Sequence, residues 1–567
     1  MAELSNRLLK RILPSPRDDQ DLSKLILRLF PSEREIHRFV QIPPELFQRM
    51  VEVITPGEMT DEWRPLVKDV IDAFALLGAR VQSIGLSPKL RARGRLVPVR
   101  ESPYFRLLRV GDQLLESLEE GTEKAKERQQ QWLELVTQCR QEADEIHRHL
   151  EETGVDLAVV FGLNVIEISL SRMELIVDTL IRPPGPERTA AIKSLLDSVV
   201  VGRLAHGSLA QLGHDNLQLL ARKIVERAGQ TGEHYIARNR AEYWHMWLAA
   251  AGGGLLTVGT AAIKMKVTHL GLAAFPEGFL SGLNYAVSFV LLQTLGLVLA
   301  TKQPSMTAAK LASIVRDNRG ESRTEEIVTY FARIFRSQLA AALGNVIVVS
   351  LGAVAFDRLW RWWTGNPYLS EELAIYALVS LSPVSTGTAI YAMLTGVILW
   401  LSSLIGGWIE NWYVYNRLPQ GLKELAIGKR LGEGRLGRWV DALSRNVSGW
   451  GVSISLGFML GMTPEIGRVL GLPLDVRHVT LNTGIMSLGA AALGRDWLRQ
   501  GWFLFACGGI AVTFVLNLTV SFLLALRLAL QAFNVPLAEQ RLVLRALVHS
   551  FFKQPRRFLL PPKNEDR

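Results

Sequence analysis

In the stretch "ILWLSSLIGGWIENWYVYNRLP", residues 398–419, an apolar run ends at Ile409 and meets Glu410 and Asn411 between aromatic residues. A carboxylate at the edge of such a run has the chemistry of a proton or cation site, because acids near lipid recur in ion paths. Its place at the end of the run favours a plainer role, an interfacial acid that is paired or faces water. Asn284, Gln293, Asn345 and Asn517, with Thr388 and Thr395, lie inside apolar runs, where amides and hydroxyls bond one helix to the next. Among His206, His214, His234 and His245 no pair has the short spacing of a zinc site on one helix, so neither a metal nor a cofactor is expected. Cys139 and Cys507 are too far apart in sequence, and in segments too unlike, to be read as a disulfide or a thiolate site.

The elements that must position these residues fall into two unlike halves. Of the 64 Lys+Arg and 54 Asp+Glu, residues 1–243 hold 34 and 36, and residues 244–567 hold 30 and 18. The whole excess of +10 therefore sits in the second half. A DNA-binding reading of the high pI wants that surplus on a water-exposed domain. The first half instead reads as a nearly neutral helical domain with Pro and Gly punctuation, such as "QIPPELF" and "RPPGPE". Its N-terminus lacks the apolar core of a signal peptide, so the domain is expected in the cytoplasm. Residues 110–152 read as one long helix with an apolar stripe, leaving coiled-coil character open and offering a surface for a protein partner. Residues 216–243, with Arg222, Lys223, Arg227, Glu233, His234, Arg238 and Arg240, read as a basic helix beside the membrane that meets anionic headgroups.

From Trp244 the pattern turns to long runs almost free of charge. Six have the length of a transmembrane helix: 244–263, 279–300, 339–356, 386–409, 447–463 and 502–525. The expected fold is all-α, a helical cytoplasmic domain followed by a polytopic transmembrane bundle over 244–525 and a basic tail over 526–567. Residues 301–338 and 410–446 hold seven Lys+Arg each, against two each in 264–278 and 358–371, which places the rich loops and both termini in the cytoplasm. Residues 476–493 would make a seventh crossing and put the basic tail outside, so 464–500 is read as re-entrant or interfacial, with seven or eight spans as alternatives. "LAIYALVSLSP", 373–383, is too short to cross and suits a half-helix ending at Pro383. Gly457 and Gly461 suit close helix packing. No charged residue lies mid-span in the six helices, so Glu410, the break at Pro383 and the stretch near His478 are the only pointers to transport.

Three stretches, "LLARKIVERAGQTGEHYIARNRAEY", "LNYAVSFVLLQTLGLVLATKQPSMTAA" and "TGTAIYAMLTGVILWLSSLIGGWIENWYVYNRLP", together resemble one family. It is the bacterial multi-spanning membrane family labelled site-specific recombinase, the gonococcal recombinase-related proteins of proteobacteria, and the likeness extends over most of the chain. The resemblance implies an inner-membrane protein engaged in DNA recombination, with DNA as a partner, and carries over no catalytic residue. Recombinase chemistry itself is absent from the residues. Tyrosine recombinases need several cationic donors on the scissile phosphate, including a His-x-x-Arg pair, and none of the ten histidines is followed by Arg at the third position. Nor does the first half show the strands on which serine recombinases or two-metal enzymes build their sites. A non-enzymatic membrane scaffold or assembly factor fits the charge balance, and a transporter is the third reading.

Overall fold

The structure, a computed structural model, describes residues 29–30, 32–54, 64–94, 97–120, 122–153, 157–183, 185–207, 236–300, 304–317, 323–424, 433–494, 501–533 and 535–560. Among the described residues there is helix and no strand. The chain divides into two compact units, Met1–Leu220 and Ala221–Arg567.

The first unit contains α1 (Glu33–Val40), α2 (Pro44–Ile54), α3 (Arg64–Gly85), α4 (Pro88–Arg91), α5 (Pro103–Glu120), α6 (Thr122–Thr153), α7 (Leu157–Ile181) and α8 (Pro186–Gly207). Residues 110–152, expected as one helix, divide between α5 and α6. The two run antiparallel. Arg128 donates to Gln113 at 3.4 Å and the Tyr104 hydroxyl donates to the Cys139 carbonyl at 3.2 Å, so numbers fall along one helix as they rise along the other. Helices α3, α5, α6 and α7 enclose a dry core of Phe74, Leu107, Leu114, Trp132, Val136, Ile166, Leu170 and Met173. Helix α8 packs on α7 and also holds α1 and α2, where the buried Lys193 ammonium meets Asp197 at 2.5 Å and lies 4.8 Å from the Phe39 ring.

The second unit contains α9 (Arg240–His269), α10 (Ala274–Thr294), α11 (Pro304–Asp317), α12 (Arg323–Thr364), α13 (Glu371–Val379), α14 (Thr388–Tyr415), α15 (Leu418–Lys423), α16 (Glu433–Leu470), α17 (Val479–Leu493), α18 (Gly501–Ala532), α19 (Leu537–Lys553) and α20 (Pro555–Leu559). Four helices, α9, α12, α14 and α18, are long and apolar enough to cross a membrane. The expected spans at 279–300 and 447–463 fall on α10 and α16, whose glycines, serines and edge charges make them less apolar. These two helices press backbone on backbone. A methyl group on Gly461 would overlap the Gly282 backbone, and one on Gly457 would overlap Ala286. Small residues therefore set the closeness of the pair, as the Gly-x-x-x-Gly spacing predicts.

Helix directions follow from the same kind of pairing. Gly254 meets Asn345 and Gly352 meets Val258, so α9 and α12 run the same way. Asn284 bonds Thr260 and Ser281 bonds Lys264, so α10 runs against α9. Helix α16 runs against α10, since Gly449 faces Gln293 while Gly461 faces Gly282. It also runs against α14, since Gly406 faces Val452 and Tyr413 bonds Ser444. Asn517 with Ala392 and Val520 with Gly396 make α18 parallel to α14. Three helices thus run one way, α9, α12 and α16, and three the other, α10, α14 and α18.

The basic segment 526–567, expected as a tail, is folded where it is described. Helix α18 continues to Ala532, and α19 and α20 pack with α11 and the start of α12 around Phe331, Phe522, Leu547 and the wholly buried Phe558. Apolar residues in the segment, at helical spacing among the cations, supply that packing. Of the segment 216–243, residues 216–235 lie outside the described residues, and Asn239 caps α9 by accepting from the Glu242 N–H at 2.9 Å.

Candidate functional site

In the second unit the backbone leaves the helical state at 295–300, 380–387 and 471–478, and each stretch includes buried residues. Gly296, at φ 69°, ends α10 in the left-handed conformation that glycine adopts without a Cβ clash. Irregular backbone among apolar helices needs partners for its N–H and C=O groups, since water is not there to supply them. Two wholly buried asparagines supply them. The Asn345 amide donates to the carbonyls of Ala250 at 2.7 Å and Val298 at 2.9 Å, while its oxygen accepts from Ala300 N–H at 3.2 Å and the Thr480 hydroxyl at 3.0 Å. Asn517 donates to Ala392 at 2.9 Å and Arg477 at 3.0 Å and accepts from Val479 N–H at 3.4 Å. Gly253 and Gly254 on α9 make room for this stitching, because a side chain there would collide with Val298 or Asn345.

Two of the breaks meet. Helix α13 starts beside Tyr368, whose hydroxyl bonds Ala262 near the end of α9, and descends until Leu378 and Leu381 pack on Val479. Helix α17 starts at that inner level, where Thr480 bonds Asn345, and climbs until Arg361 of α12 donates to the carbonyls of Ala491 at 2.9 Å and Ala492 at 2.6 Å. At 15 residues it is about 22 Å long, too short to cross an apolar layer about 30 Å thick. The two helices pack side by side and antiparallel, Gly489 of α17 lying against Ala374 and Ala377 of α13, so the carbonyl end of α13 lies beside the N–H end of α17. Between them sits Arg477, which donates to the Ser380 carbonyl at 3.2 Å and to Asp475 at 2.5 Å and stacks its guanidinium 5.4 Å from the Tyr391 ring. A cation at one helix's carbonyl terminus complements that helix's dipole. The Arg477 N–H in turn donates to the Thr395 hydroxyl at 2.8 Å. Arg477 and His478 are buried, whereas the Asp475 side chain keeps 28% of its surface open. Three nitrogens at this junction, Arg477 Nε and both ring nitrogens of His478, are buried with no hydrogen-bond partner among the described residues.

A second charged group lies where α9 ends, α10 starts and α16 ends. The buried Glu277 carboxylate takes Arg468 at 2.9 Å and Lys264 at 3.6 Å, Arg468 also pairs with buried Glu465, and Lys264 reaches the Ser281 hydroxyl at 3.1 Å. Two cations thus balance two carboxylates. Beside them Asp357, buried, pairs with Arg361 at 2.8 Å and accepts from Tyr368 N–H at 2.9 Å, fixing the guanidinium that caps α17.

The residues expected to matter from sequence divide accordingly. Asn345 and Asn517 hold the junction together, and Thr388 and Thr395 line it, Thr388 donating to Ser380 at 3.2 Å. Asn284 bonds α10 to the Thr260 carbonyl of α9 at 2.9 Å, and Gln293 lies against Gly449. Glu410, half-buried, and Asn411, buried, sit 18 and 19 residues after Ala392, so Glu410 lies roughly 27 Å along α14 from the junction. Trp408 and Trp412 beside them are exposed, as an aromatic belt requires. Glu233 and His234 lie outside the described residues. Lys264, Glu277, Glu465 and Arg468 escape a search confined to the apolar runs because they stand within a few residues of the ends of those runs, and Asp475 and Arg477 escape it because they lie in the stretch 464–500, read as re-entrant or interfacial. The available signal is charge within a few residues of a run's end.

What fold and site define together is an all-helical protein with four helices of membrane-crossing length and a polar junction buried among apolar helices. Among the described residues no group of three or more His, Cys, Asp or Glu could hold a metal ion. The chain belongs to the site-specific recombinase family, whose model, described as Site-specific recombinase, matches residues 1–561. No curated protein and no solved structure matches it.

Proposed function

We propose that this chain is a membrane protein with six crossings, α9, α10, α12, α14, α16 and α18, with both termini on the cytoplasmic side, and that its junction at Arg477 binds and passes a small polar solute. The observation that carries the reading is the meeting of two half-helices at Ser380 and Arg477 inside an apolar unit. Adjacent ends of two antiparallel half-helices, with unwound backbone beside them, offer fixed partial charges to a solute, and ionised groups held among apolar helices recur in solute and ion pathways. The alternating directions of the six helices support an even number of crossings. The Lys/Arg-rich loops at 301–338 and 410–446 then fall at one end, with the mouths of both half-helix segments at the other.

The test uses full-length protein carrying Cys139→Ser and Cys507→Ser, with single cysteines at Val384, Tyr391 and Asp475, and a membrane-impermeant maleimide applied to intact cells. Labelling at Tyr391→Cys and Asp475→Cys from the outer face alone is the expected result. Refusal of label at all three positions, from either face, means a sealed structural core and ends the transport reading.

A second reading is the DNA recombination that the family's description names, favoured by a family match spanning 1–561. Arg477 does lie over the Tyr391 ring, and an arginine is a phosphate-binding group, while the His478 ring lies against Phe289. Arg477 and His478 are buried among apolar helices, however, where a duplex has no access. Salt-dependent binding of duplex DNA by the full-length protein in detergent tests this reading, which fails if binding is absent at low salt.

A further inference from the structure

Helix α19 has two apolar faces, and the structure covers only one. Val543, Leu547 and Phe551 pack into the cluster formed with α11, α12 and α18. Leu537, Leu544, Val548 and Phe552, spaced by seven, four and four residues, form a row on the adjoining side. All four are exposed, Phe552 by 78%. Arg541 stands in the same row, Arg545 borders it, Lys553 ends the helix, and Arg556 follows at α20. None of these four cations forms an ion pair among the described residues, and residues 537–560 contain a single carboxylate, Glu539.

The depth of the helix is also defined. Phe551 touches Phe335 at 5.3 Å between ring centroids, and Phe335 stands four residues ahead of the apolar run 339–356 on α12. Helix α19 is therefore level with the place where the spanning segments begin. A narrow apolar row beside unpaired cations of one sign, at that level, matches the acyl-chain boundary and the phosphates of an acidic lipid leaflet. A protein groove would have to offer apolar contact and several carboxylates along the same 15 residues.

We infer that α19 is an interfacial helix that binds anionic phospholipid, its exposed row among the acyl chains and Arg541, Arg545, Lys553 and Arg556 at the headgroup phosphates. The inference rests on the membrane reading above, and the experiment separates the two. Full-length Cys139→Ser, Cys507→Ser protein is labelled with a fluorophore at Val548→Cys or Phe552→Cys. Leu351→Cys, on the exposed apolar side of α12, serves as the span control and Glu127→Cys on α6 as the water control. Each is reconstituted into vesicles of phosphatidylglycerol with phosphatidylcholine, or phosphatidylcholine alone, containing a lipid with a nitroxide on its acyl chain.

Quenching at positions 548 and 552 should approach that at 351 in the anionic vesicles. It should weaken in the neutral ones and on Arg541→Glu with Arg545→Glu, since each cation near an anionic surface changes partitioning roughly fivefold. Quenching at 351 with none at 548 or 552 overturns the lipid site while leaving the spans intact. Cross-linking between copies at 548 in place of quenching assigns the row to a second copy and likewise overturns it. Absence of quenching at 351 removes the membrane reading and the inference together.

Discussion

In the first unit the wholly buried side chains include Trp132, Phe74, Leu107, Leu114, Ile166 and Leu170, a mostly apolar core wrapped by helices whose outer faces are charged. In the second unit the equally buried set includes Asn345, Asn517, Thr395, Ser402, Ser453 and Thr480, while Trp362, Trp363, Leu351 and Val515 lie on the outside. The first interior is held by the removal of apolar surface from water. On the membrane reading proposed above, that force vanishes between helices surrounded by hydrocarbon, and the second interior would rely on close backbone approach and on bonds between polar groups. The difference teaches where to look for function. Apolar burial in the first unit leaves few groups that could do anything else, whereas in the second unit the polar groups that assemble the interior are also the ones a solute would meet.

Substitutions can break or sharpen that contrast. Trp132→Ala should cost about 3–5 kcal/mol by removing the largest buried side chain of the first unit. Denaturant unfolding followed by circular dichroism checks it, and a loss under about 1 kcal/mol would mean that the core is not what holds this unit. Asn345→Leu is nearly isosteric yet removes the bonds that Asn345 makes to the Val298 carbonyl, the Ala300 N–H and the Thr480 hydroxyl, at about 2–4 kcal/mol. The expected readout is aggregation of the detergent-purified protein on size exclusion while the helices of the first unit persist. The same Asn→Leu exchange in a dry apolar core would be nearly neutral, so tolerance at 345 would erase the contrast.

Gly461→Val should cost about 1–3 kcal/mol by wedging α10 from α16, read as a lower melting temperature in detergent. Smaller still, Arg140→Ala should cost about 1 kcal/mol or less. The Arg140 guanidinium bonds Glu174 at 2.7 Å and Glu167 at 3.1 Å, but the pair is about one-third exposed and screened by water. Last, Cys139 should resist alkylation in the folded protein and react on unfolding. Burial, with Glu142 nearby, pushes its thiol well above the ordinary range, and the thiolate is the reactive form.

Much of this architecture is legible in residues. The long apolar runs mark four helices of spanning length, Gly457 and Gly461 mark the tightest seam, and Pro383 with the polar stretch near His478 marks the two dips. What escapes is set by contacts distant in sequence. Helix α10 stops at Thr294 although Leu295, Leu297, Val298 and Leu299 continue the apolar run, because Asn345, some fifty residues on, offers the unwound backbone its partners. Asp475 and Arg477 resemble loop charges until the fold draws 471–478 in among the helices. The helix expected at 110–152 fails as a single rod because its apolar residues serve two antiparallel helices. Glu410, the acid most prominent in sequence, turns out remote from the junction, since α14 carries it to the far end.

The seam between α10 and α16 also bears on motion. Where main chain rests on main chain, no side chain can change rotamer to let the pair slide, so Gly278, Gly282, Gly457 and Gly461 weld two rods into one stiff member. On the transport reading, any opening of a passage at Arg477 would then come from α13 and α17. Arg361, gripping the last carbonyls of α17, would be the pivot about which that helix swings.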